Sequence, residues 1–261
     1  PPVRAQDWVP RSQLARVRGG EDHVVVTNAN CGYVDLAVNL FLSMKKLGQS
    51  NLLVFAEDCA ALESLVFALG PDHVVRPLRR PQDAPAADDR EGSGPRDEAH
   101  VYNTAGFRNM TSSRPIYLSY LLLLGFDVLW QDSDSVPLQR PVASHVPRWA
   151  ALSVVDDTSI NSYEERGFPK NFYFCSCLLF LRACPENIWL LKRWRALLDM
   201  SRDSEDQAVF NKALQDVGHP LLFRGGGGLE AADDGAGDGA GHGSAPSAPG
   251  SSPAAGNGQT G

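Results

Sequence analysis

Two short apolar runs alternate with two segments of helical periodicity within the first 70 residues. Residues 23–27 and 51–56 are rich in Val, Leu and Phe. Apolar residues at helical spacing follow each run, over 35–47 and 60–69, and a glycine stands after both segments, where a helix C-cap glycine belongs. Strands that are apolar throughout and that alternate with helices predict a mostly parallel sheet whose two faces are covered by helices.

The same alternation continues through the second half of the chain. A Pro-rich and charged stretch at 76–100 interrupts it, and we expect a flexible insertion at 82–98. The later pattern predicts helix 113–124, strand 126–130, strand 150–155, strand 172–181, helix 185–200 and helix 205–214. The predicted fold class is therefore α/β, in one domain over residues 20–222.

Composition limits the partners that this domain can have. Residues 225–261 include 13 Gly and no aromatic residue. They bury too little apolar surface to offset the entropy of ordering, so we expect a disordered, low-complexity tail. The chain has a net charge of −7, and four of its acidic residues lie in this tail, which leaves the body only slightly acidic. We therefore expect no nucleic-acid partner. Since no run of 18 apolar residues occurs, membrane attachment would require an anchor outside this chain.

Two aspartates, Asp132 and Asp134, come directly after the apolar strand at 126–130. In open α/β sheets, ligands bind beyond the carboxyl ends of the strands. No Lys or Arg is adjacent to the pair, so the two carboxylates repel each other unless a cation joins them. Carboxylate oxygens suit Mn²⁺ or Mg²⁺, and such an ion could hold a diphosphate and stabilise it as a leaving group. The alternative interpretation is a solvated acidic turn.

Two further patterns allow either a structural or a functional interpretation. The apolar stretch at 171–182 contains Cys175 and Cys177, whose spacing is too short for a zinc site. It predicts a buried strand with two small side chains on one face. A Glu-Asp-Gln sequence at 205–207 opens a helix. Its acids either stabilise the helix N-terminus or belong to a functional site.

Four segments, in their order along the chain, resemble the nucleotide-diphospho-sugar transferases of glycosyltransferase family 77, which are enzymes of plants and algae. Residues 24–58 are similar to the family's opening strand, Asn-containing loop and helix. Residues 114–141 are similar to its long helix, Gly-aromatic pair and Asp-x-Asp motif. Residues 171–182 resemble a strand with the sequence Cys-Ser-Gly, and residues 205–211 resemble an Asp-Gln-x-x-x-Asn helix.

This resemblance implies a GT-A fold, in which a Rossmann-like sheet binds a nucleotide. It also implies a metal-dependent, retaining transfer of a sugar from a UDP-sugar to a glycan or glycoprotein in the Golgi lumen. The metal ion, Mn²⁺ or Mg²⁺, would be held by Asp132 and Asp134. The nucleotide-sugar donor would be bound by Thr27, Asn28, Asn30, Asp132, Ser133, Asp156 and Ser176. The catalytic residues would be Asp206, Gln207 and Asp157.

The chain departs from the family pattern at Cys177, where the family has Gly. The His that completes the metal site of related enzymes is either His219 or absent. Two alternatives therefore stay open. A haloacid-dehalogenase-like phosphohydrolase would use Asp132, the first aspartate of the Asp-x-Asp motif in 127–136, as its nucleophile. Lys170 and the pair Asp156-Asp157 could supply its other groups, although in that family the acidic pair follows the lysine. A truncated, transferase-like domain that only binds partners is the other alternative.

Overall fold

Six strands form one sheet in the order β3-β2-β1-β4-β6-β5 in the computed structural model of the chain. The structure describes residues 8–76, 104–139, 146, 150–156, 173–201 and 205–218. The strands are β1 (His23–Ala29), β2 (Leu52–Ala56), β3 (Val74–Val75), β4 (Asp127–Gln131), β5 (Leu152–Asp156) and β6 (Phe174–Leu181). The helices are α1 (Arg11–Arg18), α2 (Val34–Lys46), α3 (Cys59–Leu69), α4 (Ala105–Ser112), α5 (Arg114–Leu123), α6 (Pro185–Met200) and α7 (Asp206–Asp216).

Most neighbouring strands in this sheet are parallel. β1 is parallel to β2 and to β4, and β2 is parallel to β3. β6 is the exception, because it is antiparallel to both of its neighbours, β4 and β5. The predicted α/β class with a mostly parallel sheet is confirmed. Since β6 runs in the opposite direction, its first residues lie at the edge of the sheet where the parallel strands end.

Helices cover both faces of the sheet, as the apolar strands predict. On one face, α2 and α3 pack against alternate residues of the central strands, so that Val25 and Leu40 are buried in the same core. On the other face, the ring of Phe55 stacks on Tyr117 of α5 with their centroids 4.2 Å apart, and Trp8 packs against both rings. β1 is buried along its whole length, as expected of a central strand.

The sequence pattern does not predict three of these elements, α1, β3 and α4. α1 buries only Leu14 and Val17 among its arginines and polar residues, and β3 has two residues, so neither is long enough to show a clear period. α1 and Trp8 precede residue 20, where we placed the start of the domain, and they pack on the same sheet.

The cysteines of β6 differ from the expectation of two small, separate side chains. Cys175 and Cys177 form a disulfide, and their Cα atoms are 5.2 Å apart. Residues two apart in a strand share a face, and this Cα separation lies within the usual range for a disulfide. The sequence pattern alone does not indicate the local bend that brings the two residues so close. Cys31, Cys59 and Cys184, which are also described, are not part of a disulfide.

Several sequence predictions concern residues outside the described part of the chain. They are the flexible insertion at 82–98, the tail at 225–261, the acid Asp157, and the two residues Lys170 and His219. In the part that is described, no helix combines the length and the apolar composition needed to cross a membrane.

Candidate functional site

Polar side chains from two helices and three strands meet at one edge of the sheet. The parallel strands β1 and β4 end at this edge, and the antiparallel strand β6 begins there. Arg114 is the first residue of α5, Asp206 is the first residue of α7, and the two side chains are in contact. This edge is where open α/β sheets bind their ligands.

Arg114 joins motifs that are far apart in the sequence. Its Nη2 donates to Oδ1 of Asp132 at 2.9 Å, and its Nη1 lies 3.1 Å from Oδ2 of Asp206. The same Nη1 donates to the carbonyl oxygen and to Oγ of Ser176, at 2.8 and 2.7 Å. We name these four residues the Arg114 cluster. One guanidinium therefore contacts the Asp-x-Asp loop, the Cys-Ser-Cys strand and the start of α7.

Trp130 supports the cluster from β4. Its indole Nε1 donates to Oδ1 of Asp132 at 2.8 Å, and the guanidinium carbon of Arg114 lies 4.6 Å from the centroid of its ring. The hydroxyl of Ser176 lies 3.3 Å from Oδ2 of Asp206, to which it donates. A cation over an aromatic face is stabilised most where water is excluded, as it is around this buried arginine. The guanidinium is thus held by acidic, polar and aromatic groups together.

Burial changes the proton affinity of both acids in the cluster. The side chains of Arg114 and Asp206 are only 5% and 9% exposed, and that of Asp132 is 32% exposed. Burial raises the pKa of Asp206 to about 6; the positive charge of Arg114 opposes this rise and the negative charge of Asp132 adds to it. Burial also raises the pKa of Asp132 above its ordinary value, again against the effect of Arg114. A single guanidinium pairs with two carboxylates, and this attraction does not fully offset the free-energy cost of removing them from water.

We expect the ionisation of Asp206 to lower stability as the pH rises from about 4 to 6. In this range the unfolded chain has lost the proton and the folded chain still holds it, so rising pH favours unfolding. The pKa changes from 3.8 to about 6. Relative to an Asp206→Asn variant, the free energy of unfolding should therefore fall by up to about 3 kcal/mol. Urea unfolding of both proteins at pH 4, 5, 6 and 7 measures the difference, and identical pH profiles would contradict this assignment.

Sequence reasoning missed Arg114. The expectation that the Asp-x-Asp pair has no neutralising side chain is wrong for Asp132, because its cation lies 18 residues earlier in the chain. The sequence feature that could have indicated this residue is a single arginine, next to Pro115, at the start of an otherwise apolar helix. A buried arginine almost always has an acidic partner, but the sequence does not show which one.

Asp134 lies outside the Arg114 cluster and is exposed. Tyr33, just after β1, has its pKa raised by burial and by the charge of Asp134, which indicates that the loops after β1 and β4 are close together.

Oδ2 of Asp132 makes no hydrogen bond to a described residue, so both aspartates keep an oxygen for a ligand. Within the described ranges, no three His, Cys, Asp or Glu side chains converge as a metal site. A metal ion bound by these two acids would need further ligands, such as diphosphate oxygens.

The three residues predicted to contact the nucleotide lie in different environments. Thr27 is fully buried, and its hydroxyl makes no hydrogen bond within the described residues. The amide nitrogen of Asn28 donates to Oε1 of Glu57 at 2.6 Å and to the carbonyl of Met110 at 3.1 Å. Asn30 is almost fully buried, and its Oδ1 has no donor among the described groups. Asn28 thus links β1 to α4, and the nucleotide contacts of all three stay a prediction.

The other predicted residues are distributed around the same edge. Asn211 connects α7 to β6, since its Oδ1 accepts from the amide of Phe174 at 2.8 Å and its Nδ2 donates to the carbonyl of Phe174 at 2.9 Å. Gln207 is half-buried, and its carbonyl accepts a further hydrogen bond from Asn211. Ser133 lies in the turn after β4, and Asp156 is the last residue of β5. Their roles toward a substrate also remain predictions.

Comparison with known proteins gives a family and several relatives. Residues 47–232 match the family described as nucleotide-diphospho-sugar transferase. The chain is 30% identical over 203 residues to UDP-D-xylose:L-fucose alpha-1,3-D-xylosyltransferase MGP4 of Arabidopsis thaliana, which covers 73% of this chain and 52% of the relative. It is 28% identical over 230 residues to UDP-D-xylose:L-fucose alpha-1,3-D-xylosyltransferase 3 of the same plant, covering 81% and 56%. The chain spans about half the length of these curated relatives.

Solved structures of glycosyltransferases are also similar, at a greater distance. The apo structure of the bifunctional glycosyltransferase WbbM has a TM-score of 0.44 and 12% identity, and the match covers 76% of this chain and 38% of that one. Galactosyltransferase LgtC in complex with donor and acceptor sugar analogues has a TM-score of 0.38 and 13% identity, covering 76% and 66%. The fold assignment therefore rests on the sheet of this chain and on its family.

The family match includes three of the four motif segments and the end of the first one. The match extends from the end of α2 past α7, and it includes the Asp-x-Asp loop and the strand with Ser176. The mostly parallel sheet, flanked by helices, is of the GT-A class that the resemblance implies. The haloacid-dehalogenase-like alternative has no support from this match. The chain belongs to the nucleotide-diphospho-sugar transferase family.

Proposed function

We propose that this protein is a glycosyltransferase, which moves a sugar from a UDP-sugar to a glycan or glycoprotein acceptor. The observation that carries the proposal is the Arg114 cluster, which gathers three motifs of the chain at one sheet edge. Buried acids with raised pKa values at such an edge are typical of functional sites. Family membership gives the chemical class of the ligand, a nucleotide-diphospho-sugar.

The names of the two plant relatives suggest which substrates to test first. Both specify UDP-xylose as the donor and L-fucose as the acceptor. Xylose, arabinose and galactose differ by a few hydroxyl groups, and enzymes distinguish them through buried polar contacts. We therefore propose a UDP-sugar as the donor class and UDP-xylose as its first candidate.

A divalent cation fits the two carboxylates of the Asp-x-Asp loop in part. Asp134 is exposed, and Oδ2 of Asp132 makes no hydrogen bond to described residues. We propose that these oxygens hold Mn²⁺ or Mg²⁺ together with oxygens of the donor. Bound there, the ion would neutralise the diphosphate and stabilise it as a leaving group. Arg114 and Trp130 both donate to Oδ1 of Asp132, which leaves Oδ2 as the oxygen for the ion.

The remaining predicted residues divide between binding and chemistry. Nucleotide and donor contacts are assigned to Thr27, Asn28, Asn30, Ser133, Asp156 and Ser176. Asp206 would stabilise the positive charge that develops at the anomeric carbon, with Gln207 and Asp157 orienting the sugar and the acceptor. A retaining reaction on the face of the leaving diphosphate needs no strong general base, because the departing phosphate oxygen takes the acceptor proton.

We also propose the Golgi lumen as the location of the enzyme. The plant relatives and the family resemblance motivate this assignment. The Cys175–Cys177 disulfide supports an oxidising compartment, because disulfides persist in the secretory pathway and are rare in the cytosol.

Replacing Asp134 by Ala is expected to abolish the Mn²⁺-dependent binding of UDP. The change removes one of two proposed metal ligands from an exposed loop, so the fold should be unaffected. Asp199 provides a matched control, because it is an exposed acid on α6, paired with Arg195 away from the site. Titration calorimetry with UDP, with and without Mn²⁺, measures the effect on both variants.

The same titration, combined with an activity assay, distinguishes an active transferase from a truncated domain that only binds partners. Binding of UDP–Mn²⁺ by the parent, together with hydrolysis of a UDP-sugar, supports the transferase. Binding without turnover of any UDP-sugar supports the truncated domain that only binds partners. If Asp134→Ala binds UDP–Mn²⁺ as tightly as the parent does, the metal assignment is wrong.

A further inference from the structure

β6 contains three more residues than β5 where the pairing of these strands changes register. Val155 pairs with Cys175, but the residue before it pairs with Leu179, so residues 176–178 have no counterpart on β5. Such a bulge bends a strand and is common beside functional sites. It also leaves the carbonyl of Ser176 outside the ladder with β5.

The disulfide joins the residue before this bulge to a residue inside it. Cys175 is the last paired residue before it, and Cys177 lies inside it, with only Ser176 between them. The amide of Cys177 also donates to Sγ of Cys175 at 3.2 Å. A cross-link stabilises the whole fold least when the loop that it closes is short, because it removes little entropy from the unfolded chain. The effect of this disulfide must therefore be mainly local.

Two residues of this bulge, Ser176 and Cys177, make hydrogen bonds to the Arg114 cluster. Both oxygens of Ser176 accept from Nη1 of Arg114, at 2.8 and 2.7 Å. The carbonyl of Cys177 accepts from the amide of Asp132 at 2.9 Å. The cross-linked segment thus positions the cation of the site and the backbone of the Asp-x-Asp loop.

We propose that the Cys175–Cys177 disulfide positions the active site by fixing the bulge of β6, which holds Arg114 and Asp132 in place. The inference rests on the proposed transferase function. In the family that the chain resembles, Gly stands at the position of Cys177, and glycine allows the most backbone freedom. Here a covalent bond restricts the same segment. The disulfide is a positioning element, since neither sulfur contacts a reacting atom in the proposed reaction.

Removal of the disulfide should lower turnover more than donor binding. We expect kcat for UDP-sugar hydrolysis to fall about 10–100-fold in a Cys175→Ala/Cys177→Ala variant, because a small misplacement of catalytic groups costs about that much. The affinity for UDP–Mn²⁺ should fall by a smaller factor, since Asp132 is displaced but Asp134, the other proposed ligand of the ion, lies outside the Arg114 cluster. The phosphine reductant TCEP, which converts the disulfide into two thiols, should reproduce the loss in the parent. Reoxidation should restore it.

Two controls separate this effect from general damage. Cys59→Ala removes an exposed, free cysteine and should keep the activity of the parent and its sensitivity to TCEP. The double variant should be insensitive to TCEP. If thiol counting shows that the disulfide is reduced and kcat is unchanged, the proposal is wrong. It is equally wrong if only the affinity for UDP–Mn²⁺ falls.

An NMR measurement tests whether the disulfide positions the site, and it does not depend on enzyme activity. The indole N–H of Trp130 donates to Asp132 inside the site, whereas Trp189 is exposed on α6. Reduction should shift the NMR signal of the Trp130 indole and leave that of Trp189 unchanged. If the oxidised protein neither binds UDP nor hydrolyses a UDP-sugar, the proposed function fails, and this shift still tests the role of the disulfide. An unchanged Trp130 signal would overturn it.

Discussion

Replacing Arg114 by Met is expected to destabilise the protein by about 3–5 kcal/mol at pH 7. Met has a similar volume, but Asp206 must then either stay ionised and buried without its cation or take up a proton at pH 7. It also leaves two oxygens of Ser176 without their donor. Urea unfolding measures the loss. At pH 4, where Asp206 keeps its proton, the loss should be smaller, because a neutral acid needs no cation.

Two further variants identify the cause of this loss. Arg195→Met removes another arginine, one that forms an i,i+4 pair with the exposed acid Asp199, and should cost less than about 1 kcal/mol. Combining Arg114→Met with Asp206→Asn should recover part of the stability, because position 206 then no longer holds a buried charge without a partner. If the double variant is as unstable as the sum of the single changes, the two residues are not coupled and our account of the cluster is wrong.

Asp206→Asn is expected to lower kcat by about 10²–10³-fold with little change in UDP affinity. The amide has the shape of the acid but not the charge that would stabilise the anomeric carbon. In the parent, kcat should fall as the pH drops through about 6, because protonation neutralises Asp206. In the variant, this decrease of kcat at low pH should be absent. Steady-state kinetics with a UDP-sugar between pH 5 and 8 measures both effects.

Asp216→Asn is the matched control for this prediction. It makes the same chemical change at the other end of α7, where the acid pairs with Arg193 and Lys212. It should keep kcat and its pH profile. If Asp206→Asn instead loses UDP binding and keeps its turnover, Asp206 belongs to the nucleotide site and has no part in the chemistry.

The strands and helices could be predicted where local periodicity is strong. β1, β2 and β4 are short apolar runs bounded by turn residues, and their order with α2 and α3 predicts the parallel part of the sheet. The location of Asp132 and Asp134 at the edge of the sheet follows from the end of β4. These features depend on residues that are close together in the chain.

The partners of these residues could not be predicted, because they depend on contacts between distant segments. Arg114 is 62 residues from Ser176, and a single sequence does not show that they meet. The register change of β6 depends on its pairing with β5, so the disulfide could not be predicted from the sequence either. The antiparallel direction of β6 decides that Ser176, rather than Leu181, lies at the site.

The long sequence separations within the Arg114 cluster also have a consequence for the order in which the protein folds. β1, α2, β2 and α3 contact each other over short stretches of chain, so their loops close at a low cost in entropy. The hydrogen bonds of the Arg114 cluster join residues 18, 30 and 62 positions apart, and those that involve Ser176 or Asp206 form only after β6 and α7 have docked. Contacts between distant residues form late when local ones are available. Asp206 thus meets its cation near the end of folding, and until then its carboxylate remains hydrated.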